Sequence, residues 1–147
     1  MRFQYPDFEI ISYQLGAVAA FAEMVATGMK KLAFSGIIEE KDLAVLEPGI
    51  KEITEKYHVS YHCQYNLIKS ELAGDEQIKD RYVFLIYRDK EVLDEYFKLA
   101  EEEKKAEQEG SYDEAKRKEI TIRLCRILSY PEKYIQNKFG GQENCRQ

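Results

Sequence analysis

The residue that first invites a chemical reading is Glu23, a carboxylate set in the most apolar stretch of the chain, between Ala19, Ala20 and Ala22 on one side and Met24, Val25 and Ala26 on the other. At helical spacing it shares a narrow face with Gly16, Ala20, Thr27 and Lys30, nearly all of them small, so another element is expected to approach closely. An ionised carboxylate is costly to bury unless it is paired or holds its proton through a raised pKa. Glu23 is therefore the candidate acid/base or cleft-lining group, and the competing reading is an ion pair with a Lys or Arg of a neighbouring helix. Arg88 and Asp89 directly follow the apolar run Tyr82 to Tyr87. In open α/β sheets ligands gather outside the carboxyl ends of strands, and a helix beginning at Asp89 and Lys90 presents amides to an anion. Lys30, Arg88 and Asp89 are thus the candidate ligand-binding residues, although helix capping alone explains Asp89.

Other groups read as structural. His58 and His62 stand four apart, as zinc-binding histidines do on a helix. The local alternation predicts a strand, which separates them by roughly 13 Å at about 3.3 Å per residue, so no metal is expected. Cys63, Cys125 and Cys145 form no CxxC pair, and Cys125 on an apolar helix side reads as core. There is no phosphate-binding glycine loop, no dinucleotide fingerprint and no nucleophile elbow, so no cofactor is expected either.

The elements that must position these groups follow from periodicity. Ile11, Leu15, Val18, Ala22, Val25, Met29 and Leu32 recur at three- and four-residue steps and predict a helix from Glu9 to about Phe34, capped by Asp7 and stopped at Ser35-Gly36. A second helix runs from Asp42 to about Tyr57, interrupted or restarted at Pro48-Gly49. Residues 58–65 alternate polar and apolar as a half-buried strand does, with Val59, Tyr61 and Tyr65 inward. Residues 66–80 read as a connection with one helical piece around Leu67 to Leu72, broken at Gly74. Tyr82-Val83-Phe84-Leu85-Ile86-Tyr87 is a continuous apolar run, the pattern of a strand covered on both faces, as in a parallel sheet. Three helices complete the order. The first runs from Asp89 to about Glu109, its Glu/Lys-rich second half almost without an apolar face. The second starts from a Ser111–Glu114 capping box, and the third is a short helix after Pro131. Residues 2–5 can add an edge strand. The fold class expected is helix-rich α/β, a small parallel sheet of two to three strands covered by five to six helices. One globular domain over 1–139 with a flexible tail at 140–147 is expected. Two strands alone are marginal, so a homodimer that covers or pairs across the sheet edge is expected too.

Composition narrows the function classes. The net charge is −5 with both signs interspersed, and clusters such as Lys116-Arg117-Lys118 are offset by nearby acids. That pattern argues against nucleic acid as a partner. The 33% charged content, mostly Glu and Lys, fits long solvated helix faces and a prokaryotic source. An odd, sparse cysteine set points to a reducing compartment. The opening residues show no secretory leader, and Leu15 to Met29 is too short and too polar for a membrane span. A cytoplasmic protein is the expectation.

Two stretches, Tyr13 to Glu23 with Gly28 to Ser35, and Leu124 to Tyr134 with its Leu128-Ser129-Tyr130-Pro131-Glu132 turn, resemble an uncharacterised archaeal family of small domain-of-unknown-function proteins. The resemblance covers about a third of the chain. Members of that group place two cysteines after the glutamate; here Lys133 and Tyr134 stand instead, so a thiol or metal role at the turn is lost. The resemblance implies no activity. Two readings follow from the residues. The first is a small-molecule- or partner-binding protein without a catalytic motif. The alternative is a small enzyme using Glu23 as acid/base, with Lys30 or Arg88 holding an anionic substrate, which requires these side chains to converge on one pocket.

Overall fold

Apolar residues that alternate along a strand commit it to one covered face, and a strand apolar throughout commits it to two. Tyr82–Tyr87 is the second kind, and it organises the molecule. In a computed structural model, residues 9–140 are described; they form α1 (Ile10–Ala26), β1 (Leu32–Phe34), α2 (Glu40–Tyr57), β2 (Ser60–Tyr65), α3 (Asp75–Ile78), β3 (Tyr82–Tyr87), α4 (Lys90–Glu109), α5 (Glu114–Ile127) and α6 (Glu132–Phe139). The strand order is β1-β3-β2. Phe84 and Ile86 point to one side, against Val18, Ala22, Leu46 and Ile50 of α1 and α2. Val83 and Leu85 point to the other, against Tyr96, Leu99, Ile120 and Leu124 of α4 and α5. The architecture is a helix–sheet–helix sandwich with β3 buried at its centre.

The expectation of a parallel sheet is corrected. Both pairings are antiparallel, with Ser60 opposite Tyr87 and Tyr65 opposite Tyr82 on one side, and Leu32 opposite Tyr87 on the other. Burial on both faces was the right inference from the apolar run; direction does not follow from it, because helices can sheathe an antiparallel sheet equally well.

Several local departures have identifiable causes. The first helix ends at Ala26, eight residues short of the expected Phe34, with Thr27 as its C-cap and Gly28 at φ +83°, and the chain then turns into β1. Leu32 kept helical step with the stripe above it by coincidence of period. The proposed cap Asp7 and the edge strand at 2–5 lie outside the described residues, as does the tail from 141; Glu9 caps α1 instead, its carboxylate accepting from Ile11 N at 3.1 Å and Ser12 N at 2.8 Å. The helix α2 runs unbroken through Pro48, and Gly49 beside it lets α1 come close, since a Cβ there would stand 2.8 Å from Leu15 Cδ2. His58 is not in the strand: it closes α2 in the left-handed region at φ 58°. The helical piece in the connection lies after Gly74, at Asp75–Ile78, not at 67–72. Asp113, not Ser111, caps α5 by accepting from Lys116 N at 2.8 Å. No helix among the described residues is long and apolar enough to cross a membrane.

Candidate functional site

Among the described residues no hydrogen bond or ion pair joins Glu23 to Lys30 or Arg88. Glu23 lies on the exposed face of α1, and so do Gly16, Ala20 and Thr27; a Cβ built on Gly16 meets nothing within 4 Å. The small-residue face therefore looks into water among the described residues, and the expectation of a carboxylate in apolar surroundings is corrected. The reason is rotation of the stripe: Val18, Ala22 and Val25 bury, and position 23 falls beyond their edge. Lys30 is half-buried, donates from Nζ to Leu128 O at 2.7 Å, and sits 5.2 Å over the Tyr130 ring. Burial pulls its pKa below the ordinary lysine value. Arg88 donates to Ala26 O at 3.2 Å. Each cation thus serves the carbonyl end of a helix, Lys30 at α5 and Arg88 at α1, where the partial negative charge of the backbone favours it. Asp89 occupies the N-cap position of α4 without a side-chain capping bond, 3.7 Å from Arg88. His62 meets Gln64 at 3.2 Å and stands edge-on to Phe97.

The site the fold does build lies elsewhere, where the irregular segment after β2 is fastened to α4 and α5. Arg117 of α5 is the principal fastener: its Nη2 donates to Ser70 O at 2.6 Å and to Asp75 Oδ1 at 2.8 Å. Thr121, one turn on, accepts from Glu71 N at 2.9 Å and donates to Arg117 O at 2.8 Å. The Tyr112 hydroxyl donates to Lys69 O. At the other end Asn66, at φ 53°, accepts from Asp80 N at 2.9 Å. These bonds satisfy a backbone that no helix or strand supports.

Between this segment and α4 opens a cleft of about 730 Å³, floored by Ile68 and Ala100 and walled by Lys69, Asp75, Glu103 and Lys104. Glu103 is half-buried in it, and among the described residues its carboxylate has no hydrogen bond or ion pair. Burial, and then repulsion from Glu107 and Asp75, push its pKa above the ordinary carboxylate value, with the charges of Lys69 and Arg117 opposing. Asp75 across the cleft is pushed the other way, its carboxyl held below the usual range by its hydrogen bond to Arg117. The two carboxyls of one cleft are thus shifted in opposite directions, Glu103 by burial and Asp75 by its hydrogen bond to Arg117. Lys69 is already engaged, 3.2 Å from Glu107. Tyr112 beneath it is raised to about 12, mainly by burial and then by Glu103.

Sequence reading missed Glu103 although a signal was there. Tyr96, Leu99, Glu103 and Ala106 follow one another at steps of three and four, and Tyr96, Leu99 and Ala106 are at most 5% exposed. Glu103 is thus the charged residue on the inward stripe of α4, the position the argument about Glu23 sought in the wrong helix. The stripe also settles the Glu/Lys-rich half of α4: it packs at least as far as Ala106 rather than projecting. Comparison of the chain with family models, curated proteins and solved structures finds no match.

Proposed function

We propose that the chain is a binding protein for a small molecule bearing an ammonium or other strong N–H donor, seated in the cleft between residues 64–79 and α4 with Glu103 as its acceptor. One observation carries the reading: a half-buried carboxylate in a cleft of about 730 Å³, with no hydrogen-bond or ion-pair partner among the described residues. Such a group loses hydration without compensation, and a cationic ligand restores it. Lys104 on the same wall suits a ligand that also carries a negative group, and Ile68 and Ala100 beneath favour a short apolar body between the two. Amino acids and short-chain amines have that composition. No serine, threonine or cysteine is among the cleft residues, which favours binding over acyl transfer to a hydroxyl or thiol. The cytoplasm, where such molecules are abundant, fits the cysteine usage.

The test is a thermal-shift screen of amino acids, linear diamines and polyamines, followed by calorimetric titration of any hit against wild type and Glu103→Gln. A charge-assisted hydrogen bond is worth about 1.5–3 kcal/mol, so the variant is expected to bind at least tenfold more weakly while remaining folded. A screen without a single shift, or hits that bind Glu103→Gln as well as wild type, would overturn the proposal.

A further inference from the structure

The sheet has two edges, and they are treated differently. The β1 edge is three residues long, and the residue just before it is occupied, Lys31 N donating to Ser129 Oγ at 2.8 Å. The β2 edge is six residues long, and among the described residues no strand lies beyond it.

The direction in which its backbone groups point can be worked out. Asn66 N donates to Arg81 O at 3.0 Å, and the register Ser60↔Tyr87 through Tyr65↔Tyr82 continues that pairing without a break. In an antiparallel ladder the bonded pairs alternate. Ser60, His62 and Gln64 therefore turn their N–H and C=O groups to β3, and Tyr61, Cys63 and Tyr65 turn theirs outward. Edges are ordinarily blunted by a lysine, a proline, a bulge or brevity. Ser60-Tyr61-His62-Cys63-Gln64-Tyr65 contains no Asp, Glu, Lys, Arg or Pro, and its register has no bulge. Left-handed turns at His58, φ 58°, and Asn66, φ 53°, bound this open stretch at both ends.

We propose that this edge pairs antiparallel with β2 of a second copy of the chain, continuing the sheet to six strands about a two-fold axis at Cys63. A two-fold that keeps both sheet faces against their helices must run perpendicular to the sheet, so it pairs residues of like parity. Among such registers, only the one centred on Cys63 matches all three outward residues, Tyr61 with Tyr65 of the second copy, Cys63 with Cys63, and Tyr65 with Tyr61. Each is a hydrogen-bonded pair of two bonds. No charge on the strand meets its own image, and the Tyr–Tyr pairs add cross-strand aromatic contact. Gln64 Nε2 already donates to Tyr65 O at 2.9 Å; the carbonyl's second lone pair serves the new ladder. The proposal does not rest on the cleft reading: it is argued from the length, register and composition of the β2 edge, although Gln64 and Tyr65 also line the cleft.

Cys63 on the axis supplies the experiment. Bonded antiparallel pairs have Cα atoms about 5.5 Å apart, so a short bis-maleimide should join Cys63 to Cys63. The full chain with Cys145→Ser is used; Cys125 is fully buried and out of reach of the reagent. The expected results are a dimer mass by light scattering in the micromolar range, a covalent dimer on cross-linking, and at least tenfold weaker dimerisation for Cys63→Lys, which opposes two ammonium groups on the axis. If that variant fails to fold, the first two measurements decide. A monomer at every concentration would overturn the proposal. So would a dimer that Cys63 never captures, which would place the contact on another surface or another strand partner on this edge.

Discussion

Replacing Arg117 with Met removes the guanidinium and keeps the aliphatic stem, so it isolates what the fork contributes to holding the segment after β2. Its bond to Ser70 O is charge-assisted and directed at a residue only 3% exposed; a bond of that kind is worth about 1.5–3 kcal/mol. Its pair with Asp75 joins side chains 26% and 50% exposed, and pairs in such surroundings contribute about 0.2–1 kcal/mol. Arg117→Met should therefore cost roughly 2–4 kcal/mol, and Asp75→Asn less than about 1 kcal/mol. Acid separates the two contributions. Because Arg117 holds the Asp75 carboxyl below its ordinary pKa, the pair's share is present at neutral pH and is lost as pH falls below about 4. The Ser70 bond does not titrate there, so most of the difference between wild type and Arg117→Met should persist. Urea denaturation of the three proteins at neutral and acid pH measures the costs. Amide exchange at Glu71, whose N–H bonds Thr121, reports whether the segment loosens first. If Asp75→Asn costs as much as Arg117→Met, or if the cost of Arg117→Met vanishes in acid, then the surface pair and not the buried carbonyl is the anchor, and the reasoning fails.

Four further outcomes are expected. Glu103→Gln should raise the melting temperature at neutral pH: a carboxyl whose folded pKa is raised penalises the fold once ionised, so the gain should shrink as the pH is lowered through the carboxylate range, followed by thermal melts over pH. Glu23→Gln should leave stability within about 0.5 kcal/mol, because the side chain is exposed; a loss of several kcal/mol in denaturant titration would restore the buried-carboxylate reading. Gly16→Ala should stabilise by about 0.5–1 kcal/mol in an open helix position, whereas Gly110→Ala, at φ +71°, should cost about 1–2 kcal/mol, both read by the same titration.

What could be read from residues alone was what local period controls. The run at 82–87 announced a strand covered on both faces, and the stripe of α1 announced which of its residues bury, because both patterns are one-dimensional projections of packing. Strand direction and the existence of β1 depend on partners far away in sequence, and three residues, Leu32 to Phe34, carry too little pattern to outvote the helical step that precedes them. The site was misplaced for a related reason. Glu23 stands among apolar neighbours in sequence, yet neighbours in sequence point all around a helix; Glu103 stands among charges in sequence, yet its neighbours at three- and four-residue steps are Leu99 and Ala106. The fasteners of the cleft segment, Arg117 and Thr121, sit some fifty residues from the backbone they hold, a relation no local period encodes.

The position of β3 has a consequence for how the chain comes together. The two strands made before it, β1 and β2, are not neighbours in the sheet; among the described residues of the chain, each forms its ladder with a segment that begins at residue 82. Everything synthesised up to that point, two long helices and two strands, lacks its keystone and waits with Leu32, Ala33 and Tyr61 unsheltered. Neither half of the chain can be expected to stand alone, so cutting the protein near residue 80 should give two fragments that order only when mixed.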